Sequence, residues 1–344
     1  MTHPADQAYL RTRLAILRGR LRGEEALNAL MGLPPAALLE SFGLMSDADL
    51  ARDRRLVSFE QSLLQLWLDE LTTLLRPLRG PAREILMQWA RRYELFNLKA
   101  LIRGKLNGMP AALIRESLFR LPAFLALDHE RLLQSDNVEE LLLRLDNTPY
   151  RSLAHQARRR FAENQDPFLL DATLDQYFYT ELSHRLRPLE EPDRAAMGEL
   201  IGRIVDRHNL VWMLRYRYNY ALPPAQAFFL SIDHGFRIGR ARLARLVEAP
   251  NLERFLEGLP GAIREILGGA TRILVIESRL KADLAAYADH LLRQSPSVIA
   301  SVFAFLILRY YEINDLFAIA QARVAGLDDV ILREALHPEI REAA

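Results

Sequence analysis

The chain of 344 residues has no cysteine, which excludes disulfides, thiolate nucleophiles and cysteine-ligated metals. That absence agrees with a reducing compartment. Lysine is scarce as well. Lys99, Lys105 and Lys281 are the only ones, so arginine carries nearly all the positive charge. Neither sign of charge is in excess: the net charge is +1, whereas a grip on nucleic acid needs a strongly basic face. The longest apolar run, Val298 to Leu308, has eleven residues including one serine. It falls short of the ~20 needed to cross a bilayer and reads as a buried helix. Met1 to Gln7 are polar and lead into an amphipathic stretch, with no signal-peptide core. The expectation is a soluble, cytoplasmic protein that is peripheral to any membrane and reaches it through a partner.

Catalytic equipment is missing too. There is no Gly-x-x-x-x-Gly-Lys-Ser/Thr loop and no Gly-x-Gly-x-x-Gly turn to cradle phosphate. Glu181 and His184 have the Glu-x-x-His spacing of di-metal bundles, which also need further carboxylates on facing helices. Asp206, Arg207 and His208 are adjacent, so a helix points them in different directions and not at one atom. The run Arg158-Arg159-Arg160 reads as exposed surface. Trp67, Trp89 and Trp212 lie on apolar helix faces and read as core.

What is present is helical periodicity. Half the residues are hydrophobic, and the length suits two or three units of roughly 100 to 150 residues. Leu10, Leu14, Leu17 and Leu21 recur at helical spacing, with Arg11, Arg13, Arg18 and Arg20 between them. The same period predicts helices over Leu56–Leu78, Ala82–Leu106, Asn137–Leu145, Ala195–Tyr218 and Ala282–Ala325. No segment alternates cleanly enough to be a strand. Breakers such as Pro77, Gly80-Pro81, Pro223-Pro224 and Pro296 keep the connections short. The fold class is all-α.

One pattern is written three times. Glu94, Asn97, Leu98 and Lys105 return about 110 residues later as Asp206, Asn209, Leu210 and Arg217, and again as Glu312, Asp315, Leu316 and Arg323. Further anchors share nearly the same shift: Asn107 to Pro110 with Asn219 to Pro223, and Asn137-Val138-Glu139 with Asn251-Leu252-Glu253. The third copy rests mainly on the motif and on Tyr311-Glu312, which matches Tyr93-Glu94; Gln321 stands where Arg103 and Arg215 stand. The expected units are residues 1–125, 126–236 and 237–344.

On a helix, offsets of 0, 3 and 11 share one side. Asn and Asp are poor helix-interior residues, so their recurrence implies a specific partner. Two readings follow. The polar line sets helix register through a satisfied buried network, or the three lines face a common axis and meet a partner.

The ordered set Tyr9-Leu10-x-Thr12-Arg13, Glu94-x-x-Asn97-Leu98-Lys99-x-Leu101-x-Arg103-x-Lys105 and Asp206-x-x-Asn209-Leu210, followed by Arg215, resembles the C subunit of archaeal and bacterial A/V-type ATPases. Its eukaryotic counterpart is the d subunit of the vacuolar ATPase. The resemblance spans essentially the whole chain and includes the ending from Tyr311-Glu312 to Gly326-Leu327. It implies three similar helical domains of about 110 residues arranged as a pseudo-threefold funnel. It implies a rotor part and not an enzyme, with no nucleotide, cofactor or metal. The funnel would cap the membrane proteolipid ring (c, K or L subunits) and hold the foot of the central stalk, made of subunits D and F. Torque would then pass between ATP turnover and H⁺ or Na⁺ movement. Candidate stalk or ring contacts are Glu94, Asn97, Arg103, Lys105, Asp206, Asn209, Arg215, Arg217, Glu312, Asp315 and Arg323. Gln321 puts equal engagement of the third unit in doubt. A reading from another class is a stand-alone helical-repeat scaffold that binds protein or RNA, and the balanced charge argues against its basic stripe.

Overall fold

The computed structural model describes residues 4–41, 52–164, 166–327 and Leu336, and every regular element among them is helical. An N-terminal group holds α1 (Pro4–Arg18), α2 (Glu24–Met31) and α3 (Pro35–Glu40). Long α4 (Arg52–Leu75) and shorter α5 (Gly80–Ala90) lead into α6 (Arg92–Leu106), which carries the first motif. Three short helices follow, α7 (Ala111–Glu116), α8 (His129–Leu133) and α9 (Val138–Leu143). Then come α10 (Arg151–Asn164) and α11 (Pro167–His184). The second motif begins on α12 (Asp193–Leu214) and runs into a π turn, Arg215–Asn219. After it come α13 (Pro224–Phe229), α14 (Arg240–Leu246), α15 (Leu252–Glu257), α16 (Gly261–Leu267) and long α17 (Ile273–Gln294). The third motif lies on α18 (Val298–Val324).

The three motif helices stop in the same way. One left-handed residue closes each: Gly108 at φ 62°, Ala221 at φ 53° and Gly326 at φ 68°. The next amide then turns back onto the helix end. Met109 donates to the Gly104 carbonyl (2.9 Å), Leu222 to that of Tyr216 (2.8 Å) and Leu327 to that of Ala322 (2.9 Å). This satisfies carbonyls that a helix terminus leaves orphaned. The π turn inserts one residue into the second copy. Lys105 and Arg217 are therefore 112 apart while Pro110 and Pro223 are 113 apart. The Asn anchors have a local role as well. Asn137 accepts from the Glu140 amide and Asn251 from the Arg254 amide, each at 2.9 Å, starting α9 and α15.

Two expected helices are interrupted. The Ala82–Leu106 stretch breaks at Arg91 (φ −60°, ψ −9°), which ends α5 and begins α6. The Ala282–Ala325 stretch breaks at Ser295, which Pro296 forces into extended backbone (ψ 133°). Ser297 then caps α18 by accepting from the Ala300 amide.

Packing follows one scheme. α6 lies on α11, α12 on α17, and α18 on α4, with α1, α2 and α3 also against α18. A continuous apolar core runs from Leu10 to Ala322. A second cluster joins the end of α12 to α13 through α17. At the centre, Trp67 and Trp89 are buried as expected. The Arg92 guanidinium lies 3.3 Å from the Trp89 ring centre and 4.2 Å from that of Tyr310. Such desolvated cation–π contacts offset the cost of burying an arginine. Trp212 is only partly buried, against His208 and Tyr216.

Ala221 holds a conformation that glycine adopts without strain, and its two counterparts are glycines. Ala221→Gly should therefore raise stability by about 0.5–1 kcal/mol. Urea unfolding measures this, and a loss of stability would contradict the account of the turn.

Candidate functional site

The recurrent asparagines fasten backbone. Asn209 donates from Nδ2 to the Ile232 carbonyl and accepts at Oδ1 from the Ile232 amide, both at 2.8 Å. Asn97 does the same to Phe119, at 2.9 and 2.7 Å. Each side chain pairs with one residue as a neighbouring strand would, so both backbone groups are satisfied away from water. The bases fasten carbonyls. Lys105 donates to Leu133 (2.7 Å) and Ser135 (2.6 Å), while Arg217 donates to Val247 (2.7 Å) and Leu222 (2.6 Å).

The acids hold a third point. Asp206 accepts from the amides of Arg237 (2.6 Å) and Ile238 (3.2 Å). Burial pushes its carboxyl up to about 6, against the pull of those amides. Fully buried Glu94 meets His129 Nε2 at 2.9 and 3.2 Å, and burial raises its carboxyl as well. The segment that follows α12 approaches closely because two glycines allow it. A Cβ on Gly235 would sit 2.2 Å from Asp206 Oδ1, and one on Gly202 would sit 2.7 Å from the Phe236 Cβ.

The third copy is wired differently. Glu312 accepts from the Arg22 amide (3.3 Å), the Arg22 guanidinium (3.2 Å) and Arg309 (2.6 Å). Asp315 pairs with Lys281 of α17 at 2.5 Å. Arg323 is half-buried in the last turn of α18.

A fourth recurrent residue escaped the sequence reading. Arg91, Arg203 and Arg309 each stand three residues before the acid, and the shared offset is the signal that reveals them. Arg203 reaches Asp283 on α17 (3.1 Å) and Arg309 reaches Glu70 on α4 (3.0 Å). Arg91 approaches Glu84 (4.0 Å), which also takes Arg185 (3.3 Å) just beyond α11. Arg103 pairs with Asp171, and Lys99 with Asp175 at 2.6 Å, tying α6 to α11. Arg207 and Arg215 share Glu277, at 3.0 and 2.5 Å, tying α12 to α17. Gln321 carries no charge with which to form the corresponding bridge.

Arg159 is exposed as read, while Arg158 and Arg160 are half-buried because acceptors lie within reach. Arg158 binds Asp146 (3.1 Å) and Arg160 binds Thr173 (2.7 Å). His208 is buried, its ring 4.3 Å from that of Tyr179. Burial, with Lys99, Arg207 and Arg215 nearby, holds its imidazole well below the usual histidine range. Chemically these residues position helices. Among the described residues no three His, Asp or Glu side chains gather to hold a metal, and the Glu181–His184 contact is a lone pair at 3.6 Å. A groove of about 900 Å³ between α4 and the 115–130 segment is lined by Ser58, Gln61, Arg115 and His129. Its Arg115 is held by Glu130.

Residues 11–335 match the family described as ATP synthase (C/AC39) subunit. The chain is similar to the C subunit of the A-type ATP synthase of Halorubrum lacusprofundi, 26% identical over 333 residues, covering 94% of this chain and 95% of that protein. It is similar to the same subunit of Methanocaldococcus jannaschii, 22% identical over 348 residues, covering 96% and 86%. A third relative, from Haloferax volcanii, is 24% identical over 343 residues, covering 95% and 96%.

Asn209→Ala would leave the buried amide and carbonyl of Ile232 unpaired, and should cost roughly 2 kcal/mol or more; Asn97→Ala should behave alike at Phe119. A loss under about 0.5 kcal/mol by urea unfolding would show that water replaces the side chain. His208 gives a pH signature. Its folded-state value is depressed, so its contribution is intact above the unfolded value of about 6.5 and is lost as pH falls below it. His208→Phe should therefore unfold less steeply with acid than wild type between about pH 7 and 5. Parallel pH dependences would sink this assignment.

Proposed function

The chain belongs to the ATP synthase (C/AC39) subunit family, and from that premise we propose a non-catalytic rotor subunit of a rotary A/V-type ATPase. It couples the central stalk, subunits D and F, to the membrane proteolipid ring (c, K or L subunits) for H⁺ or Na⁺ transport. The match over residues 11–335 carries the reading. It is supported by how the chain uses its recurrent polar residues, which lock helices together and do not converge on a reacting atom.

A torque-bearing part has to resist twisting, and close-packed helices cross-linked by buried hydrogen bonds do so. We assign the funnel of three similar domains on the same basis. The turn or short helix after each motif helix exposes large apolar side chains: Met109 and Leu113, then Tyr220 and Phe229, then Leu327, each at least 40% accessible. These suit anchor contacts, which need a few large side chains entering a partner's pockets. Among the line residues, Arg103 keeps the most exposed side chain of those in ion pairs (60%), and Arg215 retains 31%. We place both beside the anchors. Glu94, Asn97, Asp206 and Asn209 act by positioning. Among the described residues no helix is long and apolar enough to cross a membrane, and we assign membrane attachment to the ring.

The test is co-migration of the full-length protein with D and F subunits, and with detergent-solubilised proteolipid ring, on size exclusion. Changing Met109, Leu113, Tyr220 and Phe229 to Ser should weaken both associations while altering stability by no more than about 0.5 kcal/mol per site. ATP hydrolysis by the isolated protein, or capture of RNA in place of these subunits, would overturn the reading.

A further inference from the structure

On each motif helix the acid fastens a segment beyond the helix, but the acid of the third finds that segment at the opposite end of the chain. For α6, the acid and the asparagine hold the segment that comes next, at His129 and Phe119. For α12 they hold Arg237, Ile238 and Ile232. For α18, the acid Glu312 accepts from the backbone amide of Arg22, as Asp206 accepts from that of Arg237. The helix packed alongside is equivalent too. The arginine three residues before the acid reaches α17 from α12, as Arg203–Asp283, and α4 from α18, as Arg309–Glu70.

Residues that precede the first motif thus stand, relative to α18, where residues that follow the motif stand in the other two copies. From this we propose that the repeat is cyclically closed. Residues 4–41 form a strap that completes the third unit, and α4 is its outer helix. The third unit is then assembled from both halves of the chain and not from consecutive residues.

The packing agrees. α1, α2 and α3 all lie on α18, and Met31 and Leu38 of the strap are 2% and 1% accessible. So does the wiring of the closing joint. Arg309 is held between Glu70 and Glu312, and Arg22 reaches over the second of these, so two arginines and two carboxylates bridge strap, α18 and α4. Burial pushes the Glu70 carboxyl up while Arg309 pulls it down. The joints from α6 to α11 and from α12 to α17 are spanned by continuous chain. The strap is joined to α18 by non-covalent contacts, so this joint depends on side chains where the others also have covalent continuity. Cyclic closure is a property of the fold and stands whether or not the chain sits on a rotor.

Hydrogen exchange by mass spectrometry on the full-length chain tests it. Arg22→Ala should speed exchange about tenfold in α18 from Arg309 onward and in the second half of α4. The 232–238 segment and α12 should keep wild-type protection. Met31→Ala with Leu38→Ala should release the same two helices without touching the Arg22 bond. If both variants leave α18 and α4 at wild-type protection, or if exchange rises equally in α6, α12 and α18, the strap is not the closing element of one unit and the proposal fails.

Discussion

The structure depends on a polar side chain buried on a helix that finds its partner in backbone. Asn209 is 2% accessible and takes both hydrogen-bonding groups of Ile232. An unpaired amide inside a core costs about 1–3 kcal/mol, so the segment can take one position and no neighbouring one. Asp206 and Arg217 repeat this at two further points, on Arg237 with Ile238 and on Val247 with Leu222. Three fixed points define a rigid placement. Short helices such as α13 to α15 are too brief to be stable alone, and this attachment lets them form a defined surface.

A second layer of charge ties each motif helix to a long helix packed on it. Lys99 with Asp175, Arg207 and Arg215 with Glu277, and Arg309 with Glu70 all cross between a motif helix and the long helix packed on it. Exposed pairs of this sort contribute little. Arg309 and Glu70 are different, at 4% and 5% accessibility. Removing one partner there strands a buried charge, which makes the joint specific even where the net gain is small. Fixed attachments on the motif helices and charged seams to the helices beside them make the packed assembly stiff, the property the proposed rotor role calls for.

Much of the fold was legible because helix signals are local. The stops at Gly108 and Gly326, the breaker at Pro296 and the caps at Asn137 and Asn251 each act over a few residues. Of the two readings of the polar line, the buried-network geometry is seen at Glu94, Asn97, Asp206 and Asn209, whose side chains turn inward. The break at Arg91 and the π turn at Arg215–Asn219 carried no such sign, since neither has a proline or glycine to mark it. Gly202 and Gly235 were unremarkable in the chain, and their role exists only where Asp206 and Phe236 come against them.

An all-helical fold, a motif written three times and the lack of cysteine and of phosphate-cradling loops can all be read from the order of residues, because periodicity, spacing and composition are properties of the chain alone. The family resemblance was legible there for the same reason. Packing in three dimensions settled which partner each motif residue takes. Asn97 and Asn209 are interchangeable by spacing with Asp315, yet only the asparagines can both donate to and accept from one peptide, and Asp315 pairs with Lys281 instead. Packing also settled that Arg22 meets Glu312 across most of the chain's length. Spacing in sequence carries no distance in space between residues so far apart, and only the packing of α1 to α4 on α18 brings them together.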